Sequence, residues 1–307
     1  MRTLVIVNPH SRSGATARRW RRLWPRLREA LPSAEVEHTR AARDAERIAR
    51  EGVRAGIERL VVAGGDGTLN EVASGLLSAE LGGYAQIGLL RLGTGGDFAR
   101  MLRIPRDLDA ALACIAAGEE RRVDAGHLCY RGPRGDDVPG WFVNVASAGI
   151  AASVEDITAR TTRALGGSAA FAIGAVRGVL RHRAAPLAVR VDGETLFEGP
   201  VVLAAVANGR YFGGGMAIGG DARADDGWLE AVVVPELPKW RLLGKLPSLY
   251  RGAHLSDPSV RWRRGRVVEL DGEPGSLRVE ADGDPRGSVP ARMEVVPGAL
   301  RVIAPKA

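Results

Sequence analysis

Apolar and polar positions change their period partway along the chain. Over the first hundred-odd residues, apolar runs at 3–8, 34–39, 58–63 and 86–91 alternate with segments of helical spacing near 14–30 and over 41–54, 68–79 and 107–117. That alternation predicts an α/β domain with a mostly parallel sheet and helices on both faces. Ligands on such sheets sit at the carboxyl ends of the strands, and Asn8, Thr39, Gly64 and Leu92 fall there. From about residue 121 the chain turns to short β-type runs between Gly, Pro and Asp turns, as at 140–145, 187–191 and 201–206. These predict an all-β, sandwich-like second domain. A helical insert is expected over 168–183, where Phe171, Val176, Val179 and Leu180 recur at helical spacing as core positions. The segment 293–303 is expected to pack back on the first domain. The boundaries read this way are 1–122 with about 293–307, and 123–292.

A chain of 307 residues that is 45% hydrophobic is sized for two ordinary cores, with a cleft between them as the place for a site. The net charge of +7 comes from arginine, since lysine occurs only at Lys239, Lys245 and Lys306. A basic surface favours anionic partners, either phosphorylated ligands or an anionic membrane face. Nucleic acid is not supported, because no aromatic-interleaved basic run or helix-turn-helix pattern occurs. Cys114 and Cys129 lie in no metal-type spacing and read as reduced thiols of an intracellular, cytoplasmic protein. No secretory leader or uncharged spanning run is present, so membrane contact is expected to be peripheral. The oligomeric state, homo-oligomer included, stays open.

The segment Gly64-Gly65-Asp66-Gly67-Thr68-Leu69-Asn70-Glu71 changes this picture most. It lies where an apolar strand hands over to a helix. Glycines there let the backbone approach an anion, and the helix adds its positive end and unpaired N–H donors. A carboxylate at Asp66 would repel phosphate unless it held a divalent cation directly or through water, so the turn reads as a nucleotide and Mg²⁺ site. The first strand ends in Asn8-Pro9-His10-Ser11-Arg12-Ser13-Gly14 and lacks the dinucleotide fingerprint.

Three further constellations carry candidate chemistry. Leu92-Gly93-Thr94-Gly95-Gly96-Asp97 is a second glycine-rich turn, with Thr94 a donor to phosphate and Asp97 a helix cap, a ligand contact or a neighbour of the metal. Asp225-Asp226-Gly227 is either a turn or a cation loop with backbone carbonyl ligands. Asp271-Gly272-Glu273 and Asp282-Gly283-Asp284 both resemble hairpin turns, and nothing local decides which carboxylate would act as a base.

Asn8-Pro9 with Ser11 and Gly14, Gly64–Asn70, Gly93-Thr94 with Asp97–Arg100, Asn144–Gly149, Gly213–Met216, Asp226-Gly227 and Asp282-Gly283 follow one another in an order that resembles the soluble diacylglycerol kinase-like lipid kinases, relatives of sphingosine and ceramide kinases. The resemblance covers nearly the whole chain. It implies a nucleotide domain related to phosphofructokinase and NAD kinase, a C-terminal β-sandwich, an active-site cleft between them and a lipid substrate met at the membrane surface. It places ATP on Asn8, Pro9, His10, Ser11, Arg12, Thr39, Gly64–Asn70 and Thr94. It matches Mg²⁺ to the carboxylate of Asp226 and the carbonyls of Arg223 and Trp228, and downstream context selects Asp282 as proton acceptor, with Asp66 and Asp97 organising metal and acceptor. Two positions depart from the pattern: Gly96 replaces an Asn and Asp284 replaces a Glu. NAD kinase-like phosphorylation of a soluble ribose, and a nucleotide-binding regulator without turnover, remain as alternatives.

Overall fold

All five residues of β1 (Thr3–Val7) are buried, as a parallel strand covered on both faces requires. In the computed structural model, which describes residues 1–11, 15–93, 96–117, 119–150, 174 and 176–306, the chain divides into two units, Met1–Asp124 with Gly298–Ala307 and Ala125–Pro297.

In the first unit β1 pairs in parallel with β2 (Glu35–His38) on one side and β3 (Arg59–Gly64) on the other, and β3 pairs in parallel with β4 (Gln86–Arg91). The connections are α1 (Ala15–Ala30), α2 (Asp44–Arg54), α3 (Asp66–Leu77), the short α4 (Asp97–Met101) and α5 (Leu108–Ala117). Trp20, Leu23 and Leu27 of α1 and Ala111, Leu112 and Ile115 of α5 pack with Val5, Val7, Val61 and Leu90 on one face of the sheet. On the other face α2 comes so close that a Cβ at Gly52 would lie 2.9 Å from Leu4 Cδ2. Because the chain leaves β1 for β2 in one direction and for β3 in the other, the crevice lies beyond the ends of β1 and β3, at Asn8 and Gly64.

The second unit is built from β5 (Glu119–Arg131), β6 (Asp137–Phe142), β7 (Val145–Gly149), β8 (Ala185–Val191), β9 (Glu194–Ala207), β10 (Leu229–Pro235), α6 (Lys239–Arg251), β11 (Arg261–Gly265), β12 (Val267–Asp271), β13 (Arg278–Ala281) and β14 (Asp284–Ala304). Two long strands serve both layers of this sandwich. The first half of β9 pairs with β8 and the second half with β7 and β10, while β14 pairs first with β13 and then with β12. Between the layers, Leu128, Phe142, Val189, Val206, Val268, Val279 and Met293 are buried together in one core. The Asp192-Gly193 and Asp282-Gly283 pairs both carry positive φ at each residue and close tight hairpins. Beyond the second unit, β14 ends as a parallel neighbour of β4, with Arg301 opposite Gln86.

Of the insert expected over 168–183, residues 174 and 176–181 are helical, and Phe171 with most of the remainder lies outside the described residues. Helix α6 was not anticipated, and α4 only as the helix that Asp97 would cap.

Candidate functional site

In the first unit, two turns meet backbone to backbone at the sheet's edge. The amides of Leu92 and Gly93 both donate to Gly64 O, at 3.1 and 2.9 Å, and a Cβ at Gly93 would overlap Gly65 Cα. Only glycine permits that approach. Among the described residues, Gly65 caps α3 without a side-chain hydrogen bond, so the first N–H groups of that helix are open to water or a ligand there. Asp66 Oδ2 accepts from Gly96 N at 2.7 Å and Asp97 N at 3.0 Å, which ties the second turn to the first. A small recess here, partly open to solvent, is lined by Gly64, Gly65, Asp66, Arg91 and Gly96 over an apolar floor that includes Leu69 and Leu89.

The first strand end is laced into the same place. Asn8 Nδ2 donates to Thr68 Oγ1 at 3.1 Å, Asn8 Oδ1 accepts from the amides of His10 and Ser11, and Ser11 Oγ lies 2.5 Å from Thr16 Oγ1. Thr39 N donates to Val7 O, and the Thr39 side chain is buried at the end of β2. Pro9 lies in the turn between β1 and α1. Thr68, Leu69 and Asn70 are buried, so this part of the turn presents the backbone of Gly65–Gly67 and the Asp66 side chain toward solvent. Asp97 is buried and paired with Arg100 at 3.1 Å. Arg12 and Thr94 lie outside the described residues.

Arg91 was missed by the sequence reading. As the last residue of β4, it donates from Nη2 to Gly96 O at 2.9 Å and from Nη1 to Ile104 O at 3.3 Å. Burial lowers its guanidinium pKa, helped by Arg106 and Arg100 and opposed by Asp66 and Asp97. It is a half-buried cation on the pocket wall, and Gly96 makes room for it: a Cβ there would lie 2.8 Å from Arg91 Nε, at a backbone φ of 92°. A basic residue closing a strand before a glycine-rich turn was the available signal.

In the second unit, Asp282 is placed by its hairpin so that Oδ2 accepts from Val143 N at 2.7 Å and Oδ1 from Asn144 N and Val145 N, both at 2.9 Å. Its own amide donates to Val145 O. Three amide donors fix the direction of the carboxylate. Its side chain latches the 143–145 turn to the β13–β14 hairpin. Around the latch Asn144 Nδ2 donates to Tyr211 O, Asn208 Nδ2 donates to Val143 O, and Ser147 Oγ donates to the buried Glu280. Two residues on, Asp284 opens β14 with its side chain 49% exposed, 3.8 Å from Arg286. Asp271 is on the surface, paired with Arg190 at 2.6 Å.

Among the described residues no three His, Cys, Asp or Glu side chains converge as metal ligands. Asp66 fits Mg²⁺ that arrives with phosphates, since that ion commonly takes one or two carboxylates and completes its shell with substrate oxygens and water. The Asp226 loop fits a cation poorly. Asp226 Oδ2 is ion-paired with Arg264, Oδ1 accepts from Trp228 N at 3.2 Å, and Arg223 turns to Asp225 at 3.1 Å. A guanidinium already answers the Asp226 charge.

Comparison with known proteins agrees with this architecture. Residues 2–128 match the diacylglycerol kinase catalytic domain and residues 144–304 the YegS C-terminal NAD kinase beta sandwich-like domain. A protein named "Probable lipid kinase YegS-like" from Chromohalobacter salexigens is 32% identical over 282 residues, spanning 92% of this chain and 87% of that one. Its namesake from Pseudomonas aeruginosa PAO1 is 34% identical over 279 residues, spanning 91% and 87%. The crystal structure of a Bacillus anthracis str. Sterne protein proposed to be a diacylglycerol kinase superposes with a TM-score of 0.80 at 25% identity, covering 99% of this chain and 97% of that one. Yeast NADH kinase, solved with NADH, shares the fold at a TM-score of 0.54 and 12% identity, covering 100% and 84%.

Proposed function

Since the chain belongs to the YegS-like, diacylglycerol kinase-type lipid kinases, we propose that it transfers the γ-phosphoryl group of ATP to a hydroxyl of diacylglycerol or a closely related lipid. The observation that carries the reading is the meeting of the Gly64–Gly67 and Gly93 turns beside Arg91 at the start of α3, where the first N–H groups of that helix and one half-buried cation face a polyphosphate. Asn8, Pro9, His10, Ser11, Arg12, Thr39 and Thr94 are proposed to complete the nucleotide site. Mg²⁺ bound with the nucleotide would neutralise charge on the phosphates, and Asp66 is the side chain to hold it, directly or through water.

Phosphoryl transfer asks chiefly for position and charge neutralisation. The lipid hydroxyl oxygen forms a bond to the γ-phosphorus as the bond to the β,γ-bridging oxygen breaks, and ADP leaves with that oxygen. The hydroxyl proton needs a carboxylate with an accessible oxygen. Asp284, half-exposed, suits that role, and Asp282, held in place by three amides beside it, is the alternative. Asp97, buried against Arg100, supports the second turn.

The test is transfer from γ-labelled ATP with Mg²⁺ to a panel of diacylglycerol, sphingoid base, phosphatidylglycerol and soluble NAD, comparing wild type with Asp284→Asn. Label in a lipid only with wild type supports the reading. Label in NAD, or tight ATP binding with no labelled product, refutes it.

A further inference from the structure

None of the 13 residues of α6 is buried. At 100° per residue, Leu242, Lys245, Leu246 and Leu249 fall on one side of this helix. On that side Leu242 and Leu249 pack against the second unit's core, and Lys245 is ion-paired with Asp257. The opposite side is the exposed one. It carries Trp240, Gly244, Pro247 and Arg251 along its middle, flanked by Lys239 and Tyr250 on one edge and Arg241 on the other. Trp240 is 71% exposed and Tyr250 44%.

No acidic residue occurs in α6, and two of the chain's three lysines do. Beside it, Lys239 Nζ donates to Leu180 O, which brings up the helical residues 176–181 with Val176 and Leu180 exposed and the exposed Arg177 and Arg181 beside them. Arg241 stacks over Trp240 at 5.6 Å. Glu236, just before the helix, is the nearest acid in sequence.

An outward face that combines Trp and Tyr with Lys and Arg, and has no acid, is suited to one environment in particular. Amphipathic rings settle at the headgroup level of a bilayer, and cations beside them are drawn to anionic lipid. We infer that α6, with the neighbouring 176–181 segment, docks the protein on anionic phospholipid bilayers. The inference rests on the lipid-kinase reading only in that the acceptor is then found where α6 binds.

The test is co-sedimentation of the full chain with vesicles of phosphatidylglycerol and phosphatidylcholine, or of phosphatidylcholine alone, for wild type, Trp240→Ala and the triple variant Lys239→Glu, Arg241→Glu, Arg251→Glu. All these side chains are exposed, and a circular dichroism melt verifies folding. Wild type is expected to bind the anionic vesicles and not the neutral ones. The triple variant is expected to lose affinity about 100-fold, from three cations near the surface, and Trp240→Ala to lose part of it. Equal binding by wild type and the triple variant, no preference for anionic vesicles, or no binding by wild type overturns the inference. Transfer to a short-chain diacylglycerol dispersed below its aggregation limit, measured in parallel, separates the two readings: lost docking with intact transfer supports the α6 assignment, while intact docking without transfer refutes only the kinase chemistry.

Discussion

Replacing Asp282 and Asp284 one at a time by Asn separates a latch from a base. At Asp282, Asn keeps one oxygen for the amides of Asn144 and Val145 but turns an NH₂ toward Val143 N, so one charge-assisted bond is lost and two donors face each other. The lost bond costs about 1.5–3 kcal/mol and the stranded donor about 1–3 kcal/mol, roughly 4 kcal/mol together. Asn tolerates the positive φ of 51° at this position, so the backbone adds little. At about 2–4 °C per kcal/mol for a domain of this size, the melting temperature should fall by roughly 8–16 °C. Asp284→Asn removes a half-exposed carboxylate and should leave the melt within about 2 °C while lowering kcat by about 10²–10⁴-fold. Thermal denaturation by circular dichroism and the labelled-ATP assay measure both. A stable Asp282→Asn that has lost turnover, together with an active Asp284→Asn, would refute the assignment.

Arg91→Gln should raise KM for ATP about tenfold, and Arg91→Lys should restore little, because the two carbonyls at Gly96 and Ile104 are met by a planar fork; steady-state kinetics decide. His254 is buried, with Nε2 3.2 Å from Ile218 O, and burial lowers its pKa. The unfolded chain therefore binds more protons below about pH 6.5, and stability should fall as pH drops through that value; urea titrations at pH 5.5 and 7.5 should show the loss in wild type and a smaller one in His254→Gln. If Arg264 stands in for a cation at Asp226, Mg²⁺ in tenfold excess over its Kd should raise the melting temperature of Arg264→Ala by about 3–5 °C and that of wild type by less than about 1 °C. Equal shifts would return the loop to the metal.

The first unit was legible because its signals are periodic. Strands buried on both faces read as unbroken apolar runs, and β1, β3 and β4 appear within a residue or two of their expected places. Helix α4 spans five residues and shows no period, while α6 contains Gly244 and Pro247, which read as breakers although the helix continues through them. The glycines of the two turns could be found from spacing, but the close approach of Gly65 and Gly93 depends on how β3 and β4 pair. Asp282 shows the limit most plainly. An Asp-Gly pair before a strand reads alike whether it closes a hairpin or serves as a base, and its amide partners lie 137–139 residues earlier.

The course of β14 sets an order of construction. Leu300, Val302 and Ile303 are fully or almost fully buried in the first unit, and residues 301–302 complete its sheet beside β4. On the ribosome these residues emerge only after all of the second unit has been made. The sheet of the first unit therefore waits through the synthesis of some 170 residues with its β4 edge unpaired. A nascent chain halted anywhere in the second unit carries the phosphate turns without the strand that completes their sheet, so competence for chemistry arrives late and all at once.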